Sequence, residues 1–372
     1  MSFLETKSAA CWSAAPFDLH EARRYLPRAM SYFTQLLEGG YEAVHLLSDS
    51  KSGLRAIVGM HNTRLGPGLG GTRALATYAS EEEAVADALR LARGMTYKAA
   101  LAGVPHGGGK AVIMLPRGSF DREKIFESFG RAVESLGGRY ITTEDSGTSP
   151  DDMEHVRRHT KYVVGLKERS GDPSPVTAYG VARAMEATAK HVFGSPDLKG
   201  LRVTVLGVGH VGMYLVKELH QRGAKVWVSD INPASVQHAV TQYGVTAVDA
   251  DALHRMEADI YAPCALGGAI NDTTLSLLNV KAVCGAANNQ LLTSRHGEQL
   301  ARRGILYVPD YAANAGGLIN VAQEWAGYDR DKAYARTSLI FDTIDTVLTR
   351  AKESGLRPEQ VADRMVEERL AG

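Results

Sequence analysis

Apolar positions in the first half of the chain alternate between strand spacing and helix spacing. The runs 43–48 and 54–61 predict two strands, and residues 20–38 before them predict a helix. From Ser80 onward, apolar residues recur every three or four positions, and Ser80 with Glu83 forms the capping-box pattern that begins a helix. Strands that alternate with helices in this way indicate an α/β fold.

The alternation continues through the rest of this half. Residues 121–136 predict a helix and residues 139–142 predict a strand. Ser149 followed by Pro150 and two acids predicts a further helix, because the serine caps free amide groups and the proline fits the first turn. The glycine-rich segment 66–73, GPGLGGTR, is predicted to have no regular structure.

The composition changes near residues 166–176, where polar residues, glycine and proline replace the apolar pattern. Such a segment predicts a hinge or a crossing between domains. A long helix is predicted after it, over residues 178–192, and a second series of strands and helices runs from 203 to about 310. The second series indicates another α/β unit.

Two domains are expected for a chain of 372 residues, because a single core rarely grows beyond about 250–300 residues. The pattern assigns residues 1–165 to one domain and residues 166–334 to the other. The last predicted helices, near 332–353 and 358–370, lie beyond the second series. We therefore expect a C-terminal segment of about 335–372 to pack back on the first domain.

A dinucleotide-binding fingerprint lies at the start of the second series. The strand 203–206 runs directly into GxGxxG, and a helix and a strand ending in Asp230 follow. The glycines permit a tight turn, close approach of a pyrophosphate and packing of helix on strand. Asp230 is suited to bind ribose hydroxyls and to repel the extra phosphate of NADP, so NAD is the expected cofactor. The predicted cofactor-binding residues here are Gly207, Val208, Gly209, His210, Val211, Gly212 and Asp230.

Two lysines flank a triple-glycine segment in the first half of the chain. Lys98 ends a helical pattern, residues 107–109 are glycines that predict a turn, and Lys110 opens an apolar run. Two ammonium groups close together repel each other, which lowers the pKa of at least one of them. One lysine can then hold a carboxylate while the other, neutral, accepts a proton. The alternative is a surface turn with two solvated lysines.

An acid pair, Glu144 and Asp145, follows the predicted strand 139–142 and precedes a glycine. The carboxyl ends of strands are where α/β folds place reactive groups. Asp145 is therefore a candidate catalytic residue. The alternative is that Asp145 is an ordinary loop or capping acid.

Composition narrows the classes of partner. Lysine plus arginine and aspartate plus glutamate each number 42, without a basic stripe, so nucleic acid is not expected as a partner. No apolar stretch approaches the ~20 residues of a membrane span, and the N-terminal sequence is not typical of a targeting peptide. Cys11, Cys264 and Cys284 lie far apart without metal-binding spacing, which favours a reducing cytoplasm and no metal site.

With these motifs assembled, the chain resembles the Glu/Leu/Phe/Val dehydrogenase family from about residue 40 to 370. The matching motifs are GPGLGGTR at 66–73, RGMTYKAALAGVPHGGGKAV at 93–112, TTEDSGT at 142–148, GVGHVG at 207–212, GAANNQL at 285–291 and PDYAANAGGLINVAQE at 309–324. The resemblance implies NAD-dependent reversible oxidative deamination of an L-amino acid to the 2-oxo acid and ammonia. It also implies a catalytic domain, a Rossmann domain and a homo-oligomer.

The resemblance also implies residue roles. Lys98 holds the substrate carboxylate with help from Asn288, Lys110 activates the water that attacks the imine, and Asp145 moves protons to and from the amino nitrogen. Gly70, Gly71 and Asn314 lie at the substrate. Further cofactor contacts fall on Ala286, Asn288 and Asn314. The implied side-chain pocket is apolar and consists of Leu69, Met95, Val163, Leu318 and Val321.

Several functions stay open at this point. The apolar pocket, and the size of Leu318, favour branched aliphatic substrates (leucine, valine, isoleucine) over phenylalanine or tryptophan. A glutamate dehydrogenase is less favoured, because Leu69 stands where that branch has a lysine, and a buried unpaired carboxylate is costly. A non-catalytic NAD-binding subunit would not need Lys98, Lys110 and Asp145 together. A lysine Schiff-base enzyme would not need the dinucleotide fingerprint.

Overall fold

The structure, a computed structural model, describes residues 32–265 and 267–372. The chain forms two compact units, residues 1–40 and residues 41–372. The described part of the first unit is helix α1, Tyr32–Gly39. It covers the end of the helix predicted over 20–38, whose earlier residues lie outside the described part, as does Cys11.

The first sheet of the larger unit has five strands in the order β1-β2-β4-β3-β5. Its strands are β1 Ala43–Asp49, β2 Leu54–Asn62, β3 Gly68–Leu75, β4 Gly107–Met114 and β5 Tyr140–Glu144. β2 is antiparallel to β1 and to β4, whereas β3 is parallel to β4 and to β5. The carboxyl ends of β3, β4 and β5 therefore point the same way; Asp145 directly follows the carboxyl end of β5, and Lys110 lies in the middle of β4.

Three helices accompany this sheet: α2 Glu81–Ala102, α3 Arg122–Ser135 and α4 Pro150–Arg157. The Ser80 hydroxyl accepts the Glu83 amide at 3.2 Å, but the Glu83 carboxylate accepts the amide of Ala79 rather than that of Ser80. The capping box predicted at α2 is thus half formed. The box at α4 is complete, with Ser149 and Asp152 capping each other's backbone.

Two glycine-rich segments were predicted wrongly. Residues 66–73, expected to be irregular, provide most of the interior strand β3, and the supposed glycine turn at 107–109 is the start of β4. The physical reason is close approach: a Cβ on Gly70 would lie 1.8 Å from the Gly109 carbonyl oxygen, and one on Gly108 would lie 2.2 Å from the Thr96 amide in α2. Glycine here removes side-chain volume between backbones, which a rule that associates glycine with turns cannot detect.

The second sheet has six parallel strands in the order β11-β10-β9-β6-β7-β8. Its strands are β6 Arg202–Leu206, β7 Lys225–Ser229, β8 Thr246–Ala247, β9 Ile260–Pro263, β10 Ala282–Val283 and β11 Leu306–Tyr307. The helices of this part are α5 Ser174–Phe193, α6 His210–Gln221, α7 Pro233–Tyr243, α8 Ala250–Arg255, α9 Asp272–Leu277 and α10 Ser294–Arg302. The strand order reverses between β6 and β9, which creates the crevice where open α/β sheets bind ligands.

The C-terminal part is helical. It consists of α11 Asp310–Ala313, α12 Gly316–Ala322, a 3₁₀ turn Gln323–Ala326, α13 Arg330–Ser338, α14 Ile340–Ser354 and α15 Pro358–Ala371. Arg369 of α15 donates to the Ala100 carbonyl of α2 at 3.0 Å, so the last helix returns to the first half of the chain as expected. Among the described residues, no helix has both the length and the apolar composition needed to cross a membrane.

Candidate active site

A cleft of about 1050 Å³ brings most of the predicted site residues together. One set of lining residues belongs to the first sheet and α2, namely Gly71, Arg73, Met95, Lys98, Lys110 and Asp145. A second set comes from the later part of the chain, namely His210, Val211, Ala286, Asn288, Asn314, Leu318 and Val321. The cleft therefore joins the lysine motif, the dinucleotide fingerprint and the late asparagines in one space.

Lys110 and Asp145 form an ion pair inside the cleft. Lys110 lies in β4 with its side chain almost fully buried, and its Nζ is 2.8 Å from Oδ2 of Asp145. Burial lowers the pKa of Lys110 below its ordinary value, although the charge of Asp145 acts in the opposite direction. Burial alone raises the pKa of Asp145, but the charge and hydrogen bond of Lys110 outweigh it and hold that pKa below its usual range. The pair places an amine of lowered pKa against a carboxylate, and both are residue types that serve in acid–base catalysis.

Lys98 faces the same cleft with a different kind of partner. Its Nζ donates to Oδ1 of Asn288 at 2.9 Å, and that oxygen also accepts from Asn314 Nδ2 at 2.9 Å. The pKa of Lys98 is lowered to about 8, mainly by burial; the negative charge of Asp310 opposes this effect, and the positive charge of Lys110 adds to it. Burial is thus the main cause at both lysines, and the mutual repulsion expected from the sequence makes a smaller contribution at Lys98.

Asn314 leaves one acceptor unused at the cleft. Its Nδ2 also donates to the carbonyl oxygens of Ala286 at 3.0 Å and Ala287 at 3.3 Å. Its Oδ1 is buried and has no hydrogen-bond partner in the part of the chain that the structure describes. A buried unpaired acceptor is unfavourable alone, so this oxygen suits a ligand that brings an amine or a carboxamide NH group.

The fingerprint loop has the shape that a pyrophosphate requires. Gly207 has φ +97°, and a Cβ at Gly212 would lie 2.0 Å from the Gly207 carbonyl oxygen, so helix α6 packs directly on the loop. A Cβ at Gly209 would meet nothing within 4 Å, which leaves open space beside the backbone. No side chain caps α6, which begins at His210, so its first amide groups are available to an anion.

Asp230 is fixed against this loop. One carboxylate oxygen accepts the Val208 amide at 2.7 Å, and the other accepts the Asn232 amide at 2.8 Å. The acid therefore lies at the loop rather than away from it. These features fit the dinucleotide predicted from the sequence.

Not every predicted residue reaches the cleft surface. Leu69 and Val163 are 1% and 2% exposed and belong to the hydrophobic core, and Gly70 lies within β3, where the Tyr140 hydroxyl donates to its carbonyl oxygen. Of the five predicted pocket residues, the three that line the cleft are Met95, Leu318 and Val321. These three belong to its apolar lining, which also includes Leu91 and Val211.

Arg73 and Asp310 are among the charged residues of the cleft that the sequence analysis missed. Arg73 Nε lies 3.2 Å from Oδ2 of Asp145, and Asp310 is buried with its pKa raised by that burial, although Lys98 acts in the opposite direction. Asp310 is held by the Gln290 amide at 2.8 Å. Arg73 lies in the motif GPGLGGTR and Asp310 lies in PDYAANAGG. A charged residue inside a glycine-rich motif was therefore the sequence signal that could have identified them.

Comparison with family models gives two matches. A model described as "Glu/Leu/Phe/Val dehydrogenase, dimerisation domain" matches residues 43–162. A second, described as "Glutamate/Leucine/Phenylalanine/Valine dehydrogenase", matches residues 170–237 and 232–357. Together they cover both sheets and most of the helices.

Individual relatives are similar over nearly the whole chain. The chain is 48% identical to the leucine dehydrogenase of Bacillus cereus over 345 residues, which are 92% of this chain and 94% of that protein. It is 49% identical to the valine dehydrogenase of Streptomyces virginiae over 340 residues, 90% of this chain and 95% of that protein. The crystal structure of L-tryptophan dehydrogenase from Nostoc punctiforme has a TM-score of 0.82 and 41% identity, covering 91% of this chain and 98% of that one.

Proposed function

This chain belongs to the Glu/Leu/Phe/Val dehydrogenase family, and is thus an amino acid dehydrogenase; we propose that it deaminates apolar L-amino acids with NAD. The reaction is reversible and yields the 2-oxo acid and ammonia. The observation that carries the proposal is the buried Lys110–Asp145 pair in the same cleft as Lys98 and Asn288. It provides a proton-transfer pair beside a cation that forms no ion pair with any of the described carboxylates.

The fingerprint loop is the part of the chain that would hold the cofactor. The backbone beside Gly209 and the free amides of α6 would hold the pyrophosphate, and Asp230 would hold the ribose. The open space at Gly209 supports this fit. When bound, NAD supplies the acceptor for the hydride of the substrate. The carboxylate of Asp230 disfavours the additional phosphate of NADP.

Lys98 binds the substrate through charge. Its present partner, Asn288 Oδ1, is an uncharged amide oxygen, so a substrate carboxylate gains an ion pair without breaking an existing one. Asn288 and Asn314 then fix the position of that carboxylate and of the α-amino group. The unpaired Oδ1 of Asn314 is a suitable acceptor for the N–H groups that arrive.

Lys110 and Asp145 move protons. In its neutral form Lys110 accepts a proton from the water that attacks the imine carbon, and burial favours that form. Asp145, held against Lys110 at 2.8 Å, passes protons to and from the amino nitrogen. A cleft that closes over the substrate would keep other water molecules from the imine.

The side-chain preference follows from the apolar part of the cleft. Met95, Leu318 and Val321 bring no charge, so the side chain of glutamate would lie unpaired against them. We propose branched aliphatic substrates, in agreement with the names of the 48–49% identical relatives. An aromatic substrate is the second candidate, and the similarity to a tryptophan dehydrogenase supports it.

The test is a panel of L-leucine, valine, isoleucine, phenylalanine, tryptophan and glutamate with NAD, followed by the absorbance of the reduced nicotinamide. We expect the highest kcat/KM for the three branched aliphatic substrates and little reduction of NADP. A kcat/KM for phenylalanine or tryptophan about tenfold above that for leucine would overturn the preference. Activity mainly on glutamate would overturn the assignment of the pocket.

We also propose a homo-oligomer in the cytoplasm. The description of the matching N-terminal model as a dimerisation domain supports self-association. The free thiols of Cys264 and Cys284 agree with a reducing compartment. Light scattering on the purified protein should give a mass that is a multiple of 40.1 kDa, and a mass of 40.1 kDa itself would contradict the proposal.

A further inference from the structure

A chain of ion pairs extends from the catalytic pair to α2. Arg73, in β3, places its Nε 3.2 Å from Oδ2 of Asp145 and its Nη1 2.9 Å from Oδ2 of Asp87. Arg73 thus bridges two carboxylates from different elements. Its side chain is 21% exposed and that of Asp87 is 16% exposed, so water screens these contacts only partly.

Both cations act on the same oxygen of Asp145. Lys110 Nζ lies 2.8 Å from Oδ2, the atom that also receives Arg73 Nε. Two donors on one carboxylate oxygen restrict rotation of the carboxylate, because a rotation that moves Oδ2 disturbs both contacts at once. The orientation of Asp145 towards Lys110 therefore depends on Arg73.

Asp87 is anchored in turn. The Tyr78 hydroxyl donates to its Oδ2 at 2.7 Å, and Arg90 donates to its Oδ1 at 2.7 Å. Asp87 lies in α2, the helix that also carries Lys98. The guanidinium of Arg73 is therefore held between a fixed acid on the helix and the catalytic acid at the end of β5.

We infer that Arg73 and Asp87 are positioning residues of the active site, with Arg73 directing Asp145 towards Lys110 and Asp87 holding Arg73 in place. The inference deepens the proposed function and rests on it for its kinetic test. Neither residue needs to touch the substrate. Their action is through geometry and charge on the Lys110–Asp145 pair.

The two residues have opposite electrostatic effects on Lys110. The positive charge of Arg73 lowers the pKa of Lys110, and the negative charge of Asp87 raises it. The other charged groups near this pair are Lys98 of α2 and Glu144 of β5, and Asp310 at the start of α11 acts on Lys98. Substitution of Arg73 or Asp87 leaves those three in place, so a difference in sign between the two variants comes from the bridge itself.

The test compares Arg73→Gln with Asp87→Asn in the full chain. Arg73→Gln should move the pH midpoint of kcat/KM for leucine deamination upward, and Asp87→Asn should move it downward, each by about half a unit or more. Arg73→Gln should also lower kcat by about tenfold or more, since Asp145 loses its orientation. Arg73→Lys should keep the midpoint near that of the wild type and still lose kcat, because one ammonium cannot bridge both acids.

The matched control is Arg202→Gln. Arg202 pairs with Asp259 at 3.0 Å at the opposite end of β6 from the fingerprint, so this variant loses an arginine–aspartate pair outside the cleft. Arg202→Gln should lower the midpoint of unfolding without moving the pH midpoint of kcat/KM. A shift in this control as large as that in Arg73→Gln would show a general loss of charge or stability and overturn the inference.

A second measurement does not depend on catalysis. Trace acetylation of Lys110 at a series of pH values, followed by peptide mass spectrometry, gives the titration of that amine in each variant. Shifts of opposite sign in Arg73→Gln and Asp87→Asn would support the inference even if the wild type turned over no amino acid, an outcome that would overturn only the proposed function. Shifts of the same sign, or none, would overturn the inference.

Discussion

Lys98 and Lys110 face one cleft but have partners of different charge. Lys110 is paired with a carboxylate, whereas Lys98 donates to the uncharged Oδ1 of Asn288. The carboxylate of Asp145 neutralises the charge of Lys110. The amide of Asn288 leaves the charge of Lys98 available to a ligand. The difference in partner therefore separates a proton-transfer lysine from a binding lysine, which the spacing of the two lysines alone does not do.

The pKa of about 8 at Lys98 predicts how substrate affinity varies with pH. Below that pH Lys98 is protonated and binds the substrate carboxylate; above it the charge is progressively lost. The KM for the amino acid should be flat below pH 8 and rise by about tenfold for each further unit. The KM for NAD, measured over the same range, should not follow this rise. An amino acid KM that stayed flat far above pH 8 would contradict the role of Lys98.

Lys110 should be irreplaceable by another cation. Lys110→Ala should lower kcat by about 10²–10⁴-fold, the usual contribution of a general acid–base group. Lys110→Arg should not restore activity, because a guanidinium stays protonated at any usable pH. NAD binding, followed by quenching of tryptophan fluorescence, should survive in both variants because the fingerprint lies elsewhere in the chain. Near-normal turnover in Lys110→Arg would leave Lys110 with only an electrostatic role.

At the scale of elements, the glycine strands β3 and β4 determine how close α2 lies to the sheet. Gly108→Ala places a Cβ 2.2 Å from the Thr96 amide, a contact with backbone that no side-chain movement relieves. We expect a loss of about 3 kcal/mol or more in the free energy of unfolding. Gly94→Ala in α2 is the matched control, since its Cβ meets nothing within 4 Å. It should stabilise by about 0.5–1 kcal/mol through helix propensity. Equal effects in chemical denaturation would contradict the packing argument.

Most elements were predictable because their signals are local. The apolar periodicity of α2 and the serine–proline start of α4 lie within one or two turns of chain, and both helices are present. The strand identity of 68–73 was not predictable, because the reason for its glycines is the close backbone of the neighbouring strands β4 and β5. Likewise, Arg73 became recognisable as part of the site only when β3 and β5 were paired. Contacts between segments that are distant in the sequence produce no periodic pattern of apolar residues from which they could be predicted.

At the scale of the whole molecule, the first predicted crossing between the halves is hydrogen-bonded to the segment that precedes the second. One carboxylate oxygen of Glu324 accepts the amides of Gly165 and Ser170, each at 3.0 Å, and Asn320 donates to the Ser170 carbonyl at 3.3 Å. The first crossing near 166–176 is thus tied to the residues just before the second, near 325–335. The proposed domain boundaries and a hinge motion about these crossings remain predictions. Ligand-bound and ligand-free structures with one rigid orientation of the two halves would contradict the motion.

Glu324 gives this junction a direct test. Glu324→Leu leaves two backbone amides without their acceptor, at a cost of about 1–3 kcal/mol for each group that stays buried. We expect a clear fall in the unfolding midpoint, together with faster hydrogen exchange at Gly165 and Ser170. Glu324→Gln keeps an oxygen acceptor and should lose much less. If both variants unfolded like the wild type, the junction would not contribute to holding the crossings together.

The near absence of side-chain volume between α2 and the strands β3 and β4 also bears on laboratory evolution of this enzyme. Backbones already in contact at Gly70 and Gly108 accept no larger residue, so the packing behind the cleft cannot be changed by substitution at these two positions. Leu318 and Val321, on α12 across the cleft, have side chains that can be shortened or lengthened. Libraries of variants for new substrates should therefore diversify α12. Accepted changes of specificity should accumulate there, while Gly70 and Gly108 stay invariant.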